Sequence, residues 1–413
     1  MPADEHGSAR GCGQLRAGLG VAPLGLPDWP QTLDGTPLVA RCLMLDDGQL
    51  RLAIVSLTVL ALCPEAVRQV RETVGKAAGI PAAHVMCACT HVHTGPPTLS
   101  DDPTVRAGFA PYLCAAAAAA ARQAAAAQPV RLGWATDRLR GVSRVRRILR
   151  RDGSVITLRR AWPQYWGWAT DPETVRPEEA LDDVLTVVRI EDAGGQALGA
   201  ILHFTCHPLP DFVGYAAALV ERCTPGAVCL MLNGCLGSVD TPFEVPMRGR
   251  TQAEQLPILG DILGYRALEL LARAETSEHH PLGVSSREVF LPLDPRFLAN
   301  PGLRLGLWPE AIRDGGFRTE TQCLRIGELA LAGIPGEAHV GLGAQLEQAS
   351  GFSHTRPVGL ANGECGYLFP EAARARGGYE ADPAMWGVVS GKGVGALLEG
   401  LGACLAELRA GAN

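Results

Sequence analysis

The chain has 413 residues, of which 47% are hydrophobic, so it can bury a large core. Charged residues make up 19% and the formal net charge is -6, which gives no indication of a nucleic-acid partner. No apolar run reaches the roughly 18 residues of a membrane span, and the polar N-terminus does not resemble a secretion signal. The 13 cysteines lack regular spacing, so we expect reduced thiols in a cytoplasmic protein.

Predicted strands and helices alternate along the first part of the chain. Residues 50–60 and 84–89 are short apolar runs and are predicted to be buried strands. Between them, 65–78 carries apolar residues at helical spacing behind Pro64, which favours a helix. The alanine-rich tract from 114 to 128 is predicted to be a close-packed helix, because alanine has the highest helix propensity.

The same alternation continues towards the C-terminus. Helices are predicted at 250–275 and 338–348, and a glycine-rich tail is expected after the last strand. The remaining predicted strands are 154–160, 184–190, 199–205, 227–232, 286–291, 322–334 and 357–361. This order predicts an α/β fold of layered mixed sheets flanked by helices. No fixed-period repeat is visible.

We expect one catalytic domain over 1–413 without a long linker. Residues 1–16 are polar and small, and we expect them to be flexible. Residues 162–182 and 292–320 depart from the strand–helix pattern, so they are interpreted as insertions into the domain.

The first candidate site is the stretch "CTHVHTGP", residues 89–96. In an extended strand, side chains two residues apart lie on the same face, so His91 and His93 are expected to point together. The pair stands at a predicted strand end, where α/β sheets build their sites. A metal is the functional interpretation of the pair, and an ordinary polar strand end is the alternative.

The second candidate is "ILHFTCHPLP", residues 201–210. His207 ends the predicted strand, whereas His203 lies within it and is more typical of a core histidine. Cys206 beside His207 suggests a thiol–imidazole dyad, but neighbours in a strand point to opposite faces. The dyad is therefore the weaker interpretation.

Two further loops follow apolar strands. "LMLNGCLGSVDTP", residues 230–242, opens into a glycine-rich turn that could offer backbone N–H groups to an oxyanion, with Asn233 and Gly234 as candidate substrate-binding residues. Glu337 in "IPGEAH" stands between the end of a predicted strand and the start of a predicted helix. It is interpreted either as a metal ligand or as a glutamate that opens the helix. Imidazole and carboxylate donors together suit Zn²⁺.

The segment "WPQYWGW", residues 162–168, is rich in aromatic side chains. Trp166 and Trp168 are candidates for an aromatic wall over the pocket, which would select an apolar or cyclic substrate. A packed hydrophobic plug is the alternative interpretation.

The order of these motifs resembles the catalytic domain of the neutral/alkaline non-lysosomal ceramidase family. The resemblance runs from about residue 17 to near residue 400 and is carried by "AGLGVAPLGLP", "THVHTGP", "GVSRVRRILRRDG", "HFTCHP", "LNGCLGSVDTP", "IPGEAH", "CGYLFP" and "GGYE". Val145 departs from the asparagine of the family, and the loop "GSVDTP" is one residue longer than its family counterpart. We expect the catalytic domain without the C-terminal β-sandwich of those enzymes.

The resemblance implies one zinc ion per chain and assigns its ligands: His91, His207, Glu337 and Tyr367. It places His93 beside the metal-bound water or the substrate, and it implies catalytic roles for Arg146 and Tyr379. Asp240, in the altered loop, is a further catalytic candidate.

The activity that the resemblance implies is hydrolysis of an amide bond by a metal-activated water, in a ceramidase-like amidohydrolase. We expect a small N-acyl or related soluble amide as substrate, and the oligomeric state is left open. Two alternatives remain: an esterase or lactonase that uses the same zinc site, and a non-catalytic relative that binds a small molecule.

Overall fold

The computed structural model describes residues 13–33, 35–158, 173–209, 211–242, 252–302 and 306–411. Trp166 and Trp168 lie outside the described residues, as do most of the segment expected to be flexible and parts of both predicted insertions.

The described strands are, in chain order, β1 (Arg16–Pro23), β2 (Val39–Asp46), β3 (Arg51–Leu57), β4 (Val85–Cys89), β5 (Gln128–Pro129), β6 (Arg131–Arg138), β7 (Arg144–Val145), β8 (Arg147–Arg150), β9 (Val155–Thr157), β10 (Thr174–Pro177), β11 (Val184–Glu191), β12 (Ala197–Phe204), β13 (Val228–Asn233), β14 (Val239–Asp240), β15 (Leu282–Pro292), β16 (Gly316–Ile326), β17 (Leu329–Gly333), β18 (Glu337–Ala338), β19 (His354–Val358) and β20 (Tyr367–Leu368). The described helices are α1 (Pro64–Ala78), α2 (Pro103–Ala124), α3 (Phe212–Cys223), α4 (Gln252–Arg273), α5 (Pro295–Ala299), α6 (Pro309–Asp314), α7 (Val340–Ala349), α8 (Glu371–Ala375) and α9 (Gly391–Ala410). None of these helices combines the length and apolarity that crossing a bilayer requires.

Three of the sheets share one topology. Three antiparallel strands are followed by a crossover helix and a fourth strand that lies parallel to the third. Unit 1 has the order β4-β3-β2-β1 with α1 as its crossover, and β5 extends its far edge. Unit 2 has β13-β12-β11-β6 with α3, and unit 3 has β19-β17-β16-β15 with α7. The α/β fold of mixed sheets is confirmed, and the threefold repetition of topology is a feature that the sequence did not reveal.

The sheets enclose a shared core and carry helices on their other faces. Along β3, Val55 packs towards the helices of unit 1, whereas Ile54 enters a core with Leu230 of unit 2 and Leu331 of unit 3. This alternation follows from the two-residue period of a strand. A second helix completes each outer layer: α2 in unit 1, α4 in unit 2 and α9 in unit 3.

The alanine-rich tract forms the C-terminal half of α2, as predicted, and it packs very closely on β1. A Cβ atom added to Gly18 would lie 2.0 Å from the carbonyl oxygen of Ala124. Glycine on the strand and alanine on the helix therefore let the two backbones approach to a distance that larger side chains would prevent.

Two predictions of local structure are wrong. The single strand expected at 322–334 is a hairpin of β16 and β17, which turn at Gly327 with a φ of 60°. The expected glycine-rich tail contains α9, because Val394, Leu397 and Leu401 recur at helical spacing and bury that face. Burial of one apolar face outweighs the low helix propensity of its glycines.

Candidate metal centre

The candidate centre lies where the three units meet at the ends of their strands. His91 follows β4 of unit 1, His207 follows β12 of unit 2, and Glu337 follows β17 of unit 3. Glu337 also pairs in parallel register with Tyr367, which brings the later loop to the same place. Each unit thus delivers side chains at the carboxyl end of its parallel strand pair, where open α/β sheets form crevices.

His91 has an unusual backbone conformation, and its ring is fixed by a hydrogen bond. β4 ends at Cys89, and His91 has a φ of 64°. The histidine pair therefore does not lie in an extended strand, and the alternation of strand side chains does not explain its position. The Nδ1 of His91 lies 2.9 Å from the carbonyl oxygen of Leu60. A carbonyl only accepts, so Nδ1 carries a hydrogen, and Nε2 is the ring nitrogen that can present a lone pair.

His207 is oriented in the same way and is fully buried. Its Nδ1 lies 2.8 Å from the carbonyl oxygen of Leu236 and 3.0 Å from that of Val239. Burial, together with the charge of Arg146, lowers the pKa of His207, so the ring is neutral at neutral pH. Its Nε2 is therefore also a lone-pair donor to a metal.

Glu337 brings a carboxylate oxygen to both imidazoles. Its Oε2 lies 2.9 Å from Nε2 of His207 and 3.5 Å from Nε2 of His91. Apart from these contacts with one another, none of the three buried atoms has a hydrogen-bond partner among the described residues. Three lone pairs that face one another would repel, and a cation between them would satisfy all three. The donor set therefore fits a divalent metal such as zinc.

His93 lies at the same point. One ring nitrogen from each of His91, His93 and His207 lies within 4.8 Å of the others. The ring centroid of His93 is 4.6 Å from that of His91 and 5.7 Å from that of His207. The pair thus converges as predicted, although a turn and not an extended strand brings it together. Whether His93 is a ligand or acts on the reacting groups remains a prediction.

Arg146 and Tyr367 form the wall behind His207. The guanidinium of Arg146 is fully buried, and its Nη2 donates to the Tyr367 hydroxyl at 3.0 Å. Its Nη1 lies 3.4 Å from Nδ1 of His207, and 3.7 Å from the carboxylate of Asp240. Two predicted catalytic residues, Arg146 and Asp240, therefore lie behind His207. The ring of Tyr379 stands 5.8 Å from that of Tyr367 in an edge-to-face contact.

The predicted substrate-binding residues of the glycine-rich turn are engaged within the protein. Asn233 is fully buried and donates to the carbonyl oxygen of Thr90 at 2.9 Å. The N–H of Gly234 donates to Phe204 at 3.2 Å, so it is not free for an oxyanion. Asn233 supports the residue that precedes His91, and contact of either residue with substrate stays a prediction.

Sequence reasoning missed a buried chain of charges behind the site. Glu380 accepts hydrogen bonds from Arg146 at 2.7 Å and from Arg147 at 3.0 Å. Arg147 donates in turn to Glu178 at 2.5 Å, and His339 of α7 lies 3.3 Å from the same carboxylate. The two adjacent arginines of "VRRIL" could have indicated a buried charge network. Their carboxylate partners, however, lie too far along the chain to be recognised by spacing.

The remaining candidates have structural roles. His203 lies in the core, and its Nε2 is 2.7 Å from the carbonyl oxygen of Pro357. Burial raises the pKa of Cys206 well above its ordinary value, which disfavours the thiolate that a thiol–imidazole dyad requires.

Comparison with solved structures identifies the fold. The structure of neutral ceramidase from Pseudomonas aeruginosa superposes with a TM-score of 0.73 over 96% of this chain and 74% of that chain, at 20% sequence identity. The chain has the ceramidase fold. A structure of ceramidase complexed with C2 matches with a TM-score of 0.72 over 96% of this chain and 75% of that one, at 19% identity. Searches with the sequence match no protein-family model and no curated protein.

Proposed function

We propose that this chain is a zinc-dependent hydrolase that cleaves an amide bond in a small N-acyl or related substrate. The observation that carries the proposal is the convergence of three buried lone-pair atoms, on His91, His207 and Glu337, that lack any described donor. The ceramidase fold supports the choice of an amide bond.

The residues divide into a metal set and a reaction set. His91, His207 and Glu337 would hold the ion, with Tyr367 as the fourth proposed ligand. A zinc ion in this position would polarise a substrate carbonyl and acidify a water molecule. Because Nδ1–H of both buried histidines is bound to backbone carbonyls, their rings are fixed with Nε2 towards the ion.

His93 is the proposed proton-transfer group. It is the most accessible of the three histidines, and one of its ring nitrogens lies within 4.8 Å of a ring nitrogen of both His91 and His207. Arg146 donates to the Tyr367 hydroxyl, so it would keep that oxygen turned to the metal position. Tyr379 is proposed to face the reacting carbonyl.

The test combines metal analysis with matched substrates. Purified chain should bind about one zinc ion, as a site with one set of ligands requires. Removal of zinc should abolish hydrolysis of N-acyl amines and N-acyl amino acids, and zinc should restore it. Ester analogues of the same acyl groups, measured beside the amides, decide between amidase and esterase.

Two results would refute the proposal. Hydrolysis that persists in metal-free protein and is lost with iodoacetamide would indicate a thiol enzyme. Stoichiometric zinc without turnover of any amide or ester in the panel would indicate a binding protein that retains the fold.

A further inference from the structure

Asp211 occupies the position of a helix cap without serving as one. It precedes Phe212 at the start of α3, and aspartate is among the residues preferred at that position, because its carboxylate can bind the free N–H groups of the first turn. Within the described first turn of α3, no backbone N–H donates to the Asp211 side chain.

The carboxylate of Asp211 instead binds the loop that carries the histidine pair. The backbone N–H of His93 donates to Oδ1 at 2.8 Å, and the N–H of Thr94 donates to Oδ2 at 3.3 Å. The hydroxyl of Thr94 donates to Oδ2 as well, at 2.5 Å. Asp211 is fully buried and the three bonds are partly shielded from water, which strengthens them.

The loop needs such support because it is strained at His91. A φ of 64° is unfavourable for a residue with a Cβ atom, so the surroundings must impose it. Asn233 holds Thr90 from unit 2, and the N–H of His91 donates to Val59. Beyond His91, Asp211 is the charged group that fixes the next residues.

We infer that Asp211 is a positioning residue, which sets the place of His93 relative to His91 and His207. The expected effect on catalysis rests on the proposed function, whereas the expected effect on the loop does not. It links α3, the crossover helix of unit 2, to the histidine loop of unit 1. Its carboxylate contacts backbone groups of the loop, so Asp211 acts through His93 and not on a substrate.

The decisive variant is Asp211→Ser. Serine is also a preferred N-cap, so it preserves the start of α3 while being too short to hold the loop. Amide hydrogen exchange over residues 89–98 should become about tenfold to 100-fold faster, as expected for loss of buried hydrogen bonds. The kcat on an amide should fall by up to about 10²-fold with KM little changed, and zinc content should stay at the wild-type value.

Asp294→Asn is the matched control. Asp294 is also a buried N-cap aspartate, but its carboxylate binds the N–H of Arg296 in its own helix, α5, and the guanidinium of Arg374 in α8, and neither partner belongs to the histidine loop. This control should leave exchange over 89–98 unchanged. Thr94→Val, which removes only the hydroxyl contact, should give a smaller increase in the exchange rate over 89–98. It replaces Asp211→Ser as the test if that variant does not fold.

Wild-type exchange over 89–98 in Asp211→Ser would overturn the inference, as would faster exchange confined to α3. A wild-type chain that cleaves no amide would defeat the proposed function only, because exchange of the loop still decides whether Asp211 positions it.

Discussion

At the scale of single residues, two histidines of the centre have their rings held in the same way. His91 and His207 each have Nδ1 bound to backbone carbonyls, which leaves Nε2 for a metal. His207→Ala should therefore lose most of its zinc, since the remaining ligands leave an open and weak site. Metal analysis of the purified variant measures this. A zinc content equal to that of wild type would show that His207 is not a ligand.

His93→Ala should behave differently. We expect it to keep its zinc and to lose turnover by about 10²–10⁴-fold, the usual range for a general acid–base group. Zinc content and kcat measured on the same preparation give the answer. If His93→Ala is metal-free while His91→Ala stays loaded, the two roles are reversed.

Glu337 contributes the negative charge of the proposed ligand set. Glu337→Gln keeps a neutral oxygen donor at nearly the same position, so the fold should persist while zinc affinity falls sharply. Titration of metal-free protein with zinc measures this change. An affinity equal to that of wild type would mean that Glu337 supports the loop and does not bind the ion.

The sequence predicted which side chains converge at the centre better than the backbone geometry that brings them together. His91, His207 and Glu337 could be selected because polar side chains at strand ends are unusual behind apolar runs. The positive φ of His91 could not be predicted, because contacts from Val59 and Leu60, distant in sequence, impose it. Glu380 was missed for a similar reason, since its partner Arg146 lies in another part of the chain.

At the scale of elements, the close packing of α2 on β1 can be tested by adding one methyl group. Gly18→Ala would place a Cβ atom 2.0 Å from a backbone oxygen of α2, so strand and helix must separate. We expect the free energy of unfolding to fall by about 1–3 kcal/mol, as for other overpacked sites. Gly395→Ala in α9 is the control: its Cβ meets nothing within 4 Å, and it should stabilise by about 1 kcal/mol through helix propensity.

The buried charges that join β8, the segment after β10 and α7 predict a pH dependence. Burial alone would raise the pKa of Glu178, but hydrogen bonds from His339 and Arg147 outweigh it and lower the pKa from 4.5 to about 2. The carboxylate therefore contributes stability above pH 4.5, and this contribution is lost as the pH falls towards about 2.

Glu178→Gln should remove that part of the acid dependence and should lower stability at neutral pH, because Arg147 loses a buried partner. Urea unfolding at a series of pH values measures both effects. Glu179→Gln, at the exposed neighbouring residue, is the control and should follow the wild-type curve. The same acid dependence in Glu178→Gln as in wild type would contradict the assignment.

At the scale of the whole molecule, the predicted α/β class and most strand positions are confirmed, whereas the threefold topology was hidden. The units share strand order but differ in the lengths of their connections, so no fixed period appears in the sequence. The glycine-rich C-terminal segment was misjudged because its helix depends on packing against β15 and β16 of unit 3. Propensity alone could not have indicated that contact.

Metal removal should affect the stability of the entire chain. Three of the four proposed ligands come one from each unit, so a bound ion would stabilise the junction of the units and not one local loop. Adding zinc at about 100 times its Kd should increase the free energy of unfolding by about 2.7 kcal/mol. Thermal unfolding with zinc, and after dialysis against a chelator, tests this. Equal melting temperatures would argue that the junction does not bind the ion.

The distribution of one proposed donor to each unit also has a consequence for how the protein matures. A ribosome releases unit 1 first and unit 3 last, so the growing chain holds His91 and His207 well before Glu337 is made. The nascent polypeptide therefore cannot present the full ligand set until its third unit has been synthesised and has folded onto the other two. Capture of the proposed metal would then be a late event of biosynthesis, and a chain stopped before β17 should leave the ribosome without an ion.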